Sequence, residues 1–236
     1  MRALALIFAA GCASAGAAES PAARGGAPVV IELFTSQGCN SCPPADQLVG
    51  ELARAGRSGG RAIAPLVFHV DYWNDLGWAD PFSQPAWTAR QAAYARALGD
   101  ANVYTPELVV AGGAGMNGAQ PARIAAAIAA APEQIAVRAT AAWSAGSVMV
   151  DATAPADAAV WVAIWEDAPP TAVPAGENSG ATLPADRVVR RLVQVAEPGQ
   201  ADHAVVPLDP SWHPGGAVAF EQRADRRIVG ATVLSR

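Results

Sequence analysis

Apolar residues in the first half of the chain fall in short β-branched runs set between stretches of helical periodicity, a pattern that predicts strands and helices in turn. Val29–Phe34 is the first run; TSQG and CNSC follow as a turn, and Pro43-Pro44 open a helix predicted to reach Ala55. Proline suits the first helical turn because the N–H it lacks has no intrahelical partner there. Leu66–Val70 is the next run, and a helix between two such strands predicts parallel pairing through a right-handed crossover. An aromatic insertion, DYWNDLGWADPFSQPAW, leads into a helix over Thr88–Leu98, so that insertion and helix together span 71–98. Glu107–Ala111 is a third strand, GGAGMNG a turn, and Pro121–Ala130 an alanine-rich helix.

Beyond residue 133 the period changes. Val137–Trp143, Ser147–Thr153, Ala159–Glu166, Val188–Val195, Ala204–Leu208, Ala217–Gln222 and Ile228–Leu234 are short alternating runs broken by Gly, Pro and Asp. They predict a small all-β, sandwich-like unit. The expected fold class is α/β over residues 29–132, followed by an all-β domain over 133–236.

The first 17 residues place Arg2 ahead of a short apolar run and then small residues at A-x-A spacing, the pattern of a secretory leader. Residues 18–28 read as a linker rich in Pro, Gly and Ala. The expected location is therefore periplasmic or secreted. Ala9-Ala10-Gly11-Cys12 resembles a lipoprotein cleavage box without its usual leucine, so lipidation at Cys12 stands as the alternative. The leader's apolar run is about half of the roughly 20 residues needed to span a bilayer. A hydrophobic content of 52% supports a packed core, and sixteen basic residues against 21 acidic ones give a net charge of -5. Every basic residue is an arginine and they form no stripe, which argues against a nucleic-acid partner.

With Cys12 removed in the leader, two cysteines remain, Cys39 and Cys42. Closing so small a ring restricts the unfolded chain by only about 2 kcal/mol, so a structural staple is a poor reason for the pair. A dithiol at a helix start has a chemical reason instead. The thiolate is the reactive form, and a cysteine with a pKa of about 8.5 is only about 3% ionised at about pH 7. The unpaired N–H groups and the positive dipole end of a helix favour the thiolate, and a second thiol one turn on is placed to resolve a mixed disulfide. C-x-x-C between a strand and a helix is the redox spacing.

ELFTSQGCNSCPPAD, HVDYWNDLGW with Asp80-Pro81, TARQAAY, VYTPELVV and GENSG together resemble a bacterial family of secreted thioredoxin-like proteins of unknown function, over nearly all of the chain after the leader. The resemblance implies a thioredoxin-like first domain. It also implies that Pro106 is a cis-proline beside the dithiol, with Thr105 offering backbone groups to a bound peptide, and that Glu32 corresponds to a buried acid relaying a proton to Cys42. Against the better-known thioredoxins, Asn40-Ser41 lacks a histidine and Gly38 replaces a tryptophan before Cys39.

Ligands of open α/β sheets gather at the carboxyl ends of parallel strands, which places His69, Asp71, Tyr72 and Trp73 near the thiols. Tyr72 and Trp73 read either as a substrate groove or as part of an aromatic mini-core, and Glu32 either as a buried base or as an acid on an exposed strand end. Three functions stay open. The first is an oxidoreductase acting on protein or small-molecule thiols and disulfides, with Cys39 attacking, Cys42 resolving, Glu32 as base and no cofactor beyond the dithiol. The second is a copper- or zinc-binding protein using Cys39, Cys42 and His69. The third is a binding module without the chemistry.

Overall fold

The structure, a computed structural model, describes residues 26–236. The leader, Cys12 and most of the 18–28 linker lie outside the described residues. The first elements are β1 (Val29–Thr35), α1 (Pro43–Ala55), β2 (Arg57–Ser58), β3 (Arg61–His69), α2 (Pro85–Leu98), β4 (Glu107–Val110), β5 (Ala114–Asn117) and α3 (Pro121–Ala130). After them come β6 (Arg138–Trp143), β7 (Ser147–Thr153), β8 (Ala159–Ala172), β9 (Thr182–Ala196), β10 (Ala201–Pro207), β11 (Pro214–Gln222) and β12 (Ile228–Ser235). Most expected helices and strands form, but β2 was not expected, β5 occupies the stretch expected to be a turn, β3 begins five residues earlier, and β8 and β9 extend well past their expected ends. Both α1 and α2 end on a left-handed glycine, Gly56 and Gly99, the usual way to release a helix C-terminus.

The way these elements assemble overturns the expected fold class. The described chain is mostly β, with three helices, and it is not a thioredoxin-like α/β domain followed by a separate sandwich. β1 does pair parallel to β3 across α1. The other edge of β3 is taken by β9, from the second half of the chain, at Val67 opposite Val188. One nine-stranded mixed sheet results, in the order β12-β11-β8-β9-β3-β1-β4-β5 with β2 attached to β3, and β10-β7-β6 form a smaller sheet. Alternation along each strand shows which residues share a face but not which edge will be joined, and that edge decided the fold.

Three apolar clusters follow from this sheet. On one face Val30, Phe34, Leu66 and Phe68 pack with Trp87 and Tyr94 of α2 and also with Trp165, Val189, Val218 and Phe220, so both halves of the sequence share one core. On the opposite side of β1, Val29, Ile31 and Leu33 pack with Ala45 and Val49 of α1 and Ile124 and Ile128 of α3. The small sheet covers the rest through Val148 and Val150 against Val160, Val162 and Ile164. β8 and β9 run past the sheet, pairing out to Ala172 opposite Thr182. This arm carries residues 173–181 toward the carboxyl end of β1.

Candidate functional site

The loop between β1 and α1 is set by two tight turns, Cys39 N–H to Ser36 C=O (3.1 Å) and Cys42 N–H to Cys39 C=O (3.2 Å). Cys42 caps α1, with proline in the first helical turn. The turns bring the two Cα atoms to 5.5 Å and the sulfurs are bonded as a disulfide. The Ser41 hydroxyl lies 3.3 Å from Cys39 Sγ; a disulfide sulfur carries no proton, so the hydroxyl donates. Ser41 carries no signal of its own in the sequence, where it is one of two polar residues between the cysteines.

Residues paired in register across parallel strands share a face, and Thr35 is opposite His69, two residues on from Leu33 and Val67 on the α1 side. His69 is buried, with Nδ1 at 2.7 Å from Asp80 Oδ2 and its ring edge-on to Phe82 at 5.2 Å. Burial alone would lower the His69 pKa, but the Asp80 carboxylate outweighs it, with help from Asp46, and holds it above the usual imidazole value. Burial by itself would raise Asp80. His69 and the N–H groups of Gln37 (2.7 Å) and Phe82 (2.9 Å) bring it below the ordinary carboxylate value. Asp80 thus ties the histidine to the loop that carries the dithiol.

Asp46 completes this group, one helical turn after Cys42, whose carbonyl accepts its N–H at 3.1 Å. Burial pushes its carboxyl up to about 6, with His69 opposing. Its Oδ1 is enclosed and has no hydrogen-bond partner among the described residues; the same holds for the Thr35 hydroxyl and Gln37 Nε2. A cavity of about 10 Å³ lies between Asp46, Val67 and His69 and the β9 residues Pro184, Ala185 and Asp186, which is room for a single water. In the sequence, an acid in a first helical turn reads as a complement to the helix dipole, and only packing reveals its enclosure.

Glu32 is buried as the resemblance implied, but it projects from the face opposite α1. Arg90 donates to its Oε1 at 2.8 Å and the Tyr94 hydroxyl donates to its Oε2. Arg90 also bonds Tyr94 and Gln222. This closed ion pair accounts for an acid in an apolar strand, and no hydrogen bond joins it to Cys42.

Thr105-Pro106 is a cis peptide. The Trp73 indole N–H donates to the Thr105 hydroxyl at 2.9 Å, while the Trp73 Cβ stands directly over Gly38, so this tryptophan joins the proline loop to the dithiol loop. Tyr72 is 38% exposed and donates to Gln91 Oε1 at 3.2 Å; burial of the hydroxyl end pushes its pKa up to about 12. Asp71 accepts from the Thr88 hydroxyl at the start of α2. The insertion is therefore divided in role: Trp87 belongs to the main core, while Trp78 donates to Gln37 Oε1 at 3.1 Å in the dithiol loop. Among the described residues no three His, Cys, Asp or Glu side chains gather as a metal-ligand group, so His69 is not brought into a common set with the two cysteines.

GENSG, residues 176–180, lies against the backbone of the dithiol loop. The Asn178 side-chain amide donates to the carbonyls of Gln37 and Cys39, both at 2.9 Å, and Asn40 N–H donates to Glu177 Oε2 at 3.1 Å. Both cysteines are 0% exposed.

A mixed sheet with a dithiol at the start of its first helix, covered by a distant hairpin, defines the class of protein structurally. The chain belongs to the family described as protein of unknown function (DUF1223), which it matches over residues 30–221. A crystal structure of a protein from Agrobacterium tumefaciens is 28% identical and superimposes with a TM-score of 0.67, covering 90% of this chain and 96% of that one. HBP35 of Porphyromonas gingivalis, 15% identical with a TM-score of 0.60 over 89% of this chain and 75% of that one, shares the fold. No curated protein matches the chain. Among the described residues no helix is long and apolar enough to cross a membrane.

Proposed function

We propose that the protein is an exported thiol-disulfide oxidoreductase whose working group is the Cys39–Cys42 pair, acting on protein or small-molecule thiols and disulfides. One observation carries the reading: the disulfide sits at the amino end of α1 with a hydroxyl donor, Ser41, on the Cys39 sulfur. On reduction, the same hydroxyl and the helix N-terminus favour the Cys39 thiolate over the thiol. In the exchange, Cys39 thiolate attacks a substrate disulfide and expels one substrate thiolate. Cys42 thiolate then attacks the Cys39 sulfur of the mixed disulfide, releases the second substrate thiolate and restores the protein disulfide. Asp46, one turn along the same helix, supports a proton-accepting role toward Cys42 better than Glu32, which is bonded to Arg90 across the sheet. Export rests on the leader read from residues 1–17.

The test is turnover of a peptide disulfide with dithiothreitol as donor. The wild type is expected to turn over and Cys39→Ser to lose activity completely. Equal rates for the two proteins would remove the reading. The potential of the pair, measured by equilibration with glutathione, then gives the direction in which it works.

A further inference from the structure

A thiolate must approach a disulfide sulfur before exchange occurs, yet both cysteines have no exposed surface in this structure. Some part of the cover has to move, and the hydrogen bonds show which part is separable. Residues 173–181 are closed upon themselves by backbone bonds: Val173 N–H to Ala181 C=O, Gly180 N–H to Val173 C=O, Ser179 N–H to Gly176 C=O and Ala181 N–H to Asn178 C=O. Their polar links to the dithiol loop all run through two side chains, Asn178 and Glu177. Gly176 and Gly180 have φ of 79° and 84°, a region glycine occupies at little cost. No backbone hydrogen bond joins residues 173–181 to the dithiol loop among the described residues; apart from the two side chains the strap is seated by buried Val173 and by Gly176 against Gly77 and Trp78. Elsewhere the dithiol loop is held by the insertion between β3 and α2, through Asp80 to Gln37 and through Trp78 to Gln37.

We propose that the strap at residues 173–181 gates the dithiol, with Asn178 as its latch, so that exchange partners reach Cys39 only when the two bonds from the Asn178 amide are broken. The inference rests on the exchange reading above, since a gate has a purpose only where sulfur chemistry occurs. Asn178 is a positioning residue: it touches the carbonyls that flank the sulfur and does not touch the reacting atoms.

The experiment follows reduction of the oxidised full chain by dithiothreitol under pseudo-first-order conditions, counting thiols by alkylation and mass. Each event oxidises one dithiothreitol to its cyclic disulfide and leaves two protein thiols. Asn178→Ala is expected to be reduced about ten- to thirtyfold faster than wild type, as two neutral hydrogen bonds are removed. Asn178→Asp, which sets a carboxylate against two carbonyl oxygens, should be at least as fast. In the wild type, opening is local, so sub-denaturing urea leaves the rate nearly unchanged. Wild-type rates for both variants, or a wild-type rate that follows global unfolding in urea, would overturn the gate. The two readings fail separately. Faster reduction of the variants with no turnover of a peptide disulfide by any form sinks the exchange reading alone, whereas wild-type turnover with unaltered variant rates sinks the gate alone.

Discussion

The Asn178 amide donates to the carbonyl of Cys39 at 2.9 Å across a separation of 139 residues. The geometry of the dithiol loop thus depends on the second half of the chain. The same dependence runs through the main core, where Phe34 and Phe68 share a cluster with Trp165, Val189 and Phe220. A fragment of residues 26–132 leaves the β3 edge unpaired and half of this cluster without partners. It is expected to lack a cooperative thermal transition by circular dichroism, while residues 26–236 show one.

Asp46→Asn removes a carboxylate that the fold makes costly to ionise. With a folded pKa of about 6, up from 3.8, the native state binds more protons than the unfolded state between those values, so stability falls as pH rises through that window. The variant is expected to be more stable than wild type by about 1–3 kcal/mol at about pH 7.5, and close to wild type at about pH 3.5. Urea unfolding at the two pH values reads the difference. If Asp46 accepts a proton from Cys42, the variant also loses the limb of the pH–rate profile near about pH 6.

His69 and Asp80 form a buried pair at 2.7 Å. The His69 pKa is raised, so its contribution is full below about 6.5 and fades as pH rises through the folded value. The Asp80 pKa is lowered, so its contribution is present above about 3.8 and is lost as pH falls through the folded value. Asp80→Asn should therefore cost the most stability at about pH 5 and progressively less toward about pH 9. Denaturant midpoints across that range check the trend, and a cost independent of pH would count against it.

Glu32 and Arg90 are both buried and bonded to each other. Removing one partner leaves an unpaired charge and is expected to cost about 3–5 kcal/mol in either Glu32→Leu or Arg90→Met. The double variant should recover much of that loss, as measured by a urea-unfolding cycle. Because Glu32 faces away from α1, Glu32→Gln is expected to leave the pH dependence of Cys42 alkylation unchanged.

Ser41 gives the Cys39 sulfur a single hydroxyl donor. Ser41→Ala is expected to raise the pKa of the reduced Cys39 thiol by about one unit, the worth of one hydrogen bond to a charged acceptor. The pH dependence of iodoacetamide alkylation measures this directly. No change in the alkylation profile would remove Ser41 from the site.

Parts of the site were legible because local chemistry reports them. Pro43-Pro44 behind Cys42 announce a helix start, and a disulfide spaced C-x-x-C needs only that start to be formed. Trp73 and Thr105, both expected near the dithiol, are hydrogen-bonded to each other. Asp46 and Asn178 were not singled out as site residues, for different reasons. Asp46 looks like any acid in a first helical turn until β9 and His69 enclose it. Asn178 lies in a sequence that satisfies every rule for an ordinary turn, and its partners become visible only when the arm is placed.

The three helices, most of the strands and the spacing of the two sulfurs were determined by sequence alone, because each follows from bonds and periodicities within a few residues; β2, β5 and the long β8–β9 arm were not. Tertiary structure decided that β9 takes the free edge of β3, that Glu32 turns to Arg90 and that the 173–181 strap closes on Cys39. The physical reason is that strand edges present the same backbone donors and acceptors whatever their side chains. Which edge meets which is settled only by burying the apolar faces of the whole chain together.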